Sequence, residues 1–205
     1  MRLRNNPEAK NILKASQYVI DKKRKQYFPN NNETHLEIGV GKGDFIIGMA
    51  KQYPHLNFIG IEKYASVLVK AAQKIANENL DNVLLLNIDA RALLDYFEQN
   101  SFKTIYLNFS DPWPKQRHYK RRLTYRLFLT IYQQLLTVGG SIKQKTDNQS
   151  LFESSIISYN DYEMKIEMIS VDLHHSEYAK DNVMSEYERK FALKQPIYAI
   201  EVSYR

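Results

Sequence analysis

From residue 34 onward the chain alternates short apolar runs with longer amphipathic ones. THLEIGV (34–40), NFIGIE (57–62), NVLLLNIDA (82–90) and TIYLNFSD (104–111) are short, β-branched or otherwise strongly apolar, and bounded by polar or glycine residues, the pattern of strands; GGSIKQKT (139–146), more polar, reads as a fifth. The intervening pieces have helical spacing: GDFIIGMAKQY (43–53), YASVLVKAAQKIANEN (64–79), RALLDYFEQN (91–100), LTYRLFLTIYQQLL (123–136) and NQSLFESSIISY (148–159). Strict strand–helix alternation over five units requires parallel strands joined by right-handed crossovers, with helices on both faces. The rhythm breaks at the end. MKIEMISVDL (164–173) and IYAIEVSYR (197–205) are two β-rich stretches without a clear helix between them, which predicts a terminal antiparallel hairpin. The expected fold is α/β, with a mostly parallel seven-stranded sheet.

Residues 5–28 read as a helix with a basic exposed face, and Pro29 followed by three asparagines marks a break. The expected organisation is therefore a basic helical arm (1–32) and one domain (33–205). A chain of 205 residues with 43% hydrophobic content can build a core of that size. No apolar run approaches the roughly 20 residues of a membrane span, and the basic start lacks the apolar segment of a secretory signal. These features predict a cytoplasmic protein with no membrane association.

Charge and composition narrow the chemistry. Lysine and arginine number 29 against 23 acids, and the excess is clustered. Residues 1–28 carry Arg2, Arg4, Lys10, Lys14, Lys22, Lys23, Arg24 and Lys25 against Glu8 and Asp21; residues 115–126 carry six basic side chains and no acid. Two basic clusters suit a nucleic-acid backbone. There is no cysteine, which excludes disulfides, thiolate metal sites and every cysteine-nucleophile mechanism. No histidine has partners at metal-ligand spacing, so no metal is expected.

The candidate ligand site lies at the strand ends. LEIGVGKGDF places Gly39, Gly41 and Gly43 after the first strand of the alternating set, where glycines allow a tight turn and close backbone approach to a ligand. The spacing is G-x-G-x-G, not the G-x-G-x-x-G pyrophosphate fingerprint, and Glu37 just before it would repel a pyrophosphate but attract an ammonium or sulfonium centre. Both features disfavour a nicotinamide dehydrogenase. Glu62 ends the next strand, where an acid can accept from ribose hydroxyls. Asp89 ends the third, placed for an adenine amino group or as a helix N-cap. Asp111 ends the fourth. Open α/β sheets bind ligands at these carboxyl ends, and a ligand with a ribose, an adenine and a cationic amino-acid tail matches the set. S-adenosylmethionine has all three.

The stretch NFSDPWPKQRHYKRR (108–122) sets Asp111 and the sole tryptophan, Trp113, beside Lys115, Arg117, His118, Tyr119, Lys120, Arg121 and Arg122. Together with MRLR at the start, EIGVGKG, GIE, LLNIDA, YLNFSDPWPKQRHYKRRL, GGSIKQKTDN, SEYE and QPIYAIEVSYR, it resembles the bacterial tRNA (guanine-N7)-methyltransferase family over essentially the whole chain. The resemblance implies a Rossmann-like class I methyltransferase fold. It implies that Glu37, Glu62, Asp89 and Asp111 contact S-adenosylmethionine, with Asp111 at the reacting centre. Lys115, Asp147, Ser185, Glu186, Tyr187 and Glu188 would contact the substrate, and residues 117–122 would contact tRNA. Ser185 stands where the family usually has threonine, which keeps the hydroxyl and loses the methyl. The implied target is a guanine in the tRNA variable loop; monomer and homodimer stay equally open.

That chemistry fits the residues. Guanine N7 carries an in-plane lone pair and needs no prior deprotonation, so alignment and electrostatics suffice. Cytosine C5 methylation would need the absent cysteine. Amino-group methylation typically uses an N/D-P-P-Y/F/W turn, whereas here Trp113 stands between Pro112 and Pro114, which fix φ on either side of it. Trp113 is expected either as a wall of the base slot or as core packing. Another S-adenosylmethionine enzyme acting on RNA and a noncatalytic RNA-binding module are the rival readings.

Overall fold

The computed structural model describes residues 6–20, 23–191 and 194–205. Among the described residues eight strands, numbered in chain order, form one sheet in the order β1-β4-β3-β2-β5-β6-β8-β7. The five alternating units appear in sequence as β2 (Thr34–Ile38), α2 (Asp44–Gln52), β3 (Asn57–Ile61), α3 (Ala65–Glu78), β4 (Val83–Leu86), α4 (Leu93–Tyr96), β5 (Phe102–Asn108), α5 (Arg126–Leu135), β6 (Leu136–Thr146) and α6 (Gln149–Asp161). Strands β2 to β6 pair parallel. The ending is β7 (Lys165–Ser170) and β8 (Tyr198–Ser203), which pair antiparallel with each other, and β8 also runs antiparallel to β6.

The central strands β2 to β5 bury both faces, as a covered parallel sheet must, whereas the edge strand β7 is largely exposed. Leu36, Ile38, Ile59, Ile61 and Leu107 share one core with Phe128, Leu129 and Tyr132 of α5 and Phe152 of α6. Phe58, Leu85 and Tyr106 share the other with Phe45 and Ile46 of α2 and Leu68 and Ile75 of α3. Helix α6 starts where Asn148 Oδ1 accepts from the Leu151 N–H at 2.8 Å, and α3 stops at Asn79 in a left-handed conformation, φ +51°.

The N-terminal segment differs from the expected single helix. Within 5–28 the described helix is α1 (Ala9–Ala15), and Val19–Ile20 form β1, an eighth strand parallel to β4 with Val19 opposite Leu85. An unpaired β4 edge offers backbone hydrogen bonds, and the β-branched pair Val19-Ile20 buries Ile20 to 2% exposure there. Ala9 and Leu13 join the core formed by α2 and α3. Other boundaries shift: β4 ends at Leu86 where residue 90 was expected, α5 starts at Arg126 where 123 was expected, and β6 starts at Leu136 where 139 was expected. Strand β5 ends at Asn108 because Phe109 turns to φ +50°. The helix expected at 91–100 is a 3-10 turn (Ala90–Ala92) followed by the short α4. SEYERKF, not assigned to an element from its pattern, contains α7 (Glu186–Phe191).

Candidate active site

The strand order reverses between β2 and β5, the place where open α/β sheets leave a crevice. A cleft of about 530 Å³ lies at the carboxyl ends of these strands, lined by Gly39, Glu62, Asp89, Asn108, Asp111 and Trp113 among others. Three of the four expected acids therefore face one cavity. Glu37 does not line it: it is 4% exposed, and its Oε1 accepts from the amide of Asn108, which does, at 3.0 Å. Burial pushes the Glu37 carboxyl up to about 7, opposed by the Asn108 hydrogen bond and by Lys145. Glu37 Oε2 and Asn108 Oδ1 are buried without a hydrogen-bond partner among the described residues.

The glycine turn is shaped from both sides. Glu62 Oε1 accepts from the Tyr64 N–H at 2.9 Å and Oε2 from the Gly41 N–H at 3.4 Å, so one carboxylate ties the turn to the end of β3. Burial raises the Glu62 pKa, and these two backbone N–H groups oppose the rise. Gly39 adopts φ +83°, and a Cβ there would meet nothing within 4 Å, leaving a space open to a ligand. Gly43 differs: its missing Cβ would sit 2.8 Å from Ala71 Cβ, so it is required for packing α2 on α3. Asp89 is the N-cap of the following 3-10 turn, accepting from the Arg91 N–H at 3.0 Å, and still lines the cleft. Unpartnered buried acceptors, a glycine cradle and carboxylates at the rim together fit a cationic nucleoside cofactor.

The block after β5 forms one wall. Asp111 is exposed three residues beyond the strand, and Trp113, at φ +43°, lies outside the hydrophobic core clusters and lines the cleft. The Arg121 guanidinium lies 4.8 Å from the Trp113 ring centre, and His118 meets the ring edge-on at 5.7 Å. Arg122 is turned inward, its Nε donating to the Pro112 carbonyl at 3.0 Å and its Nη2 to that of Trp113 at 3.2 Å. Lys115, Arg117 and Lys120 are exposed on or beside the 3-10 turn Gln116–Arg121, and Tyr119 packs edge-on against Tyr125.

Helix α7 packs across the same wall. The Tyr187 ring lies 5.1 Å from that of Phe109, and its hydroxyl donates to Asp147 Oδ2 at 2.8 Å, an oxygen that also accepts from Gln195 at 2.5 Å. Glu186 bonds Lys42 of the glycine turn at 2.8 Å and Lys190 at 2.5 Å, and these two cations lower its pKa to about 2. Arg189 bonds Asp44 at 2.7 Å. Ser185 and Glu188 make a capping box: the Glu188 N–H donates to Ser185 Oγ at 3.1 Å, and the Ser185 N–H to Glu188 Oε2 at 3.4 Å. Glu188 is 0% exposed, and its carboxylate also takes Lys145 at 2.7 Å, Asn182 at 2.7 Å and His174 at 3.0 Å. This carboxylate is committed within the protein, whereas Asp147 remains half-buried beside the wall.

A family model described as "Putative methyltransferase" matches residues 31–200. The tRNA (guanine-N(7)-)-methyltransferase of Bacillus subtilis strain 168 is 49% identical over 213 residues, covering 100% of both chains. That of Oceanobacillus iheyensis is 50% identical over 212 residues, covering 100% of this chain and 99% of its own. The chain belongs to the tRNA (guanine-N7)-methyltransferase family. Solved structures support the fold at low identity: a 16S rRNA methyltransferase, KamB, at TM-score 0.62 with 15% identity over 89% of this chain and 96% of its own, and a SAM-dependent methyltransferase from Aquifex aeolicus at TM-score 0.60 with 11% identity over 96% and 93%. The class I methyltransferase fold is thus this chain's fold.

Within that family frame, two residues stand out that the motifs did not single out. Asn108 is the last residue of a mostly apolar strand, and an amide directly after Ile105, Tyr106 and Leu107 was the available signal. Lys42, between two of the turn glycines, was hidden because its partner Glu186 lies 144 residues away. Among the described residues there is no group of three or more side chains that could hold a metal ion, and no helix is long and apolar enough to cross a membrane.

Proposed function

We propose that this chain methylates N7 of a guanine in tRNA, in the variable loop, with S-adenosylmethionine as donor, in the cytoplasm and without a covalent enzyme intermediate. The observation that carries the reading is the placement of Glu62, Asp89 and Asp111 around one cleft that is also lined by Trp113 and by Arg121 of the adjoining basic turn. S-adenosylmethionine, when bound, supplies an electrophilic methyl group. Glu62 and Asp89 would hold its ribose and adenine, the Gly39–Gly41 turn would admit its backbone-hugging portion, and Asp111 with the Glu37–Asn108 pair would face its cationic end.

The protein's own task is then placement. A neutral N7 lone pair needs no base, so the rate depends on presenting the guanine edge-on to the cleft and on stabilising the charge that moves onto it. Asp147 would accept from the guanine Watson–Crick edge, whose N1–H and N2 amino group separate guanine from adenine. Trp113 would form the wall against which the unstacked base rests. Exposed Lys115, Arg117 and Lys120 would neutralise tRNA phosphates. Incubating unmodified tRNA with the protein and methyl-labelled S-adenosylmethionine, then mapping the labelled nucleoside by mass spectrometry, tests the reading. Label in 7-methylguanosine of the variable loop is expected; label on another nucleoside, or none, would overturn it.

A further inference from the structure

Five consecutive or near-consecutive cations follow Trp113, and their directions differ. Lys115, Arg117 and Lys120 are exposed. Arg122 is half-buried and uses its planar fork on the backbone, spanning the carbonyls of Pro112 and Trp113 at 3.0 and 3.2 Å. That segment needs an external brace. Pro112 and Pro114 have no N–H to contribute to a turn, and a residue before proline is driven away from the right-handed helical region. Trp113 takes φ +43°, a conformation that a bulky residue keeps only when its surroundings hold it there. Arg121 covers the indole face and His118 its edge, so the ring and its backbone are both fixed from the same short stretch.

We infer that Arg122 is a positioning residue for the reaction and not a phosphate ligand: its guanidinium locks the Asp111–Trp113 loop in the shape that presents both side chains to the cleft. A lysine cannot reproduce this, because its ammonium is a point charge on a flexible stem and lacks the parallel N–H pair. The nucleic-acid footprint of the block is correspondingly smaller than its charge suggests, and is carried by the outward cations.

The inference rests, for its kinetic part, on the tRNA methylation reading; its spectroscopic part does not. Trp113 is the only tryptophan, so intrinsic emission and acrylamide quenching of the free protein report on this ring alone. In Arg122→Ala and Arg122→Lys, quenching rises and emission shifts to the red before any tRNA is added. The kcat falls about tenfold or more, the KM for tRNA stays within roughly threefold, and the salt dependence of tRNA binding is unchanged. Arg117→Ala, the phosphate-type comparison, leaves the emission unchanged and lowers the salt slope by about one. Should Arg122→Ala lose its native circular dichroism, Arg122→Lys decides, since it keeps the charge and loses only the fork. Wild-type kcat and quenching in Arg122→Lys would overturn the inference. So would a flattened salt slope with unchanged Trp113 emission in either variant. A wild-type protein inactive on tRNA would overturn the functional reading instead, and the Trp113 measurement would still stand.

Discussion

The side-chain amide of Asn108 donates to Glu37 Oε1 at 3.0 Å, joining the ends of β5 and β2 across the point where the strand order reverses. Asn108 lines the cleft, and Glu37 stands directly behind it with one oxygen unpartnered among the described residues. A cationic ligand in the cleft would favour the ionised form of this buried carboxylate across the amide.

The Glu37 carboxyl is raised by burial from 4.5 to about 7. For a raised acid, the stabilising neutral form is fully present below about 4.5 and is lost as pH rises through about 7, so this group makes the free protein less stable toward alkaline pH. A bound cation favours the ionised form instead. Cofactor affinity should therefore strengthen by up to about tenfold between roughly pH 6 and pH 8, with proton release on binding. Calorimetry in buffers of different ionisation heat measures both. Glu37→Gln should bind more weakly with a flat profile, and a flat profile in the wild-type protein would remove Glu37 from the cofactor site.

Gly39→Ala and Gly43→Ala should fail in different ways. At Gly39 the added Cβ meets no atom, so the left-handed backbone costs only about 1–2 kcal/mol of stability, while the methyl intrudes on the ligand space and cofactor binding drops. At Gly43 the Cβ would lie 2.8 Å from Ala71 Cβ and 3.2 Å from its Cα, which adds about 1–3 kcal/mol of overpacking to the same backbone cost. Denaturant unfolding and cofactor titration of the two variants should separate these effects; equal unfolding losses would contradict the assignment.

Lys145→Met leaves the fully buried Glu188 without its closest cation. A loss of about 3–5 kcal/mol is expected, because an unpaired charge stays behind. The double variant Lys145→Met/Glu188→Met should lose less than the two single losses combined, by about 0.5–3 kcal/mol. Urea unfolding checks this, and strict additivity would show that the pair is not coupled.

Asp147→Ala should lower kcat about tenfold or more while the cofactor dissociation constant stays within roughly threefold. Asp147 holds the Tyr187 hydroxyl, which burial and Asp147 itself keep protonated by raising its pKa to about 12, so the hydrogen bond persists across the working range. Parallel losses of rate and cofactor affinity would place Asp147 on the donor side of the cleft.

Trp113→Ala should weaken kcat/KM by the worth of one base–aromatic stack, about 1–3 kcal/mol or roughly five- to 150-fold. Because the ring lies outside the core clusters, unfolding stability should change by less than about 1 kcal/mol. An unchanged rate with an intact fold would exclude a role in holding the base.

The alternation of apolar runs was enough to place β2 through β5, because a buried parallel strand must be continuously apolar and a crossover helix must show a period near 3.6; β6, β7 and β8 were read from the more polar stretches that end the alternation. It was also enough to bring Glu62, Asp89 and Asp111 to one rim, since a residue at the end of each strand in a parallel sheet shares an edge with its neighbours. The N-terminal arm was less legible. Ala9, Leu13 and Ile20 stand at helical spacing, and only the open edge of β4 turns Val19–Ile20 into a strand.

Chain pattern alone therefore determined the layers, the strand direction and which edge of the sheet carries the cleft, because these follow from local periodicity and chain connectivity. The tertiary structure decided the fate of individual charges: Glu37 behind Asn108, 71 residues away; Glu188 sealed against Lys145, 43 residues away; Lys42 latched to Glu186, 144 residues away. A carboxylate's role depends on what surrounds it, and partners so distant in the chain meet only once the sheet has closed.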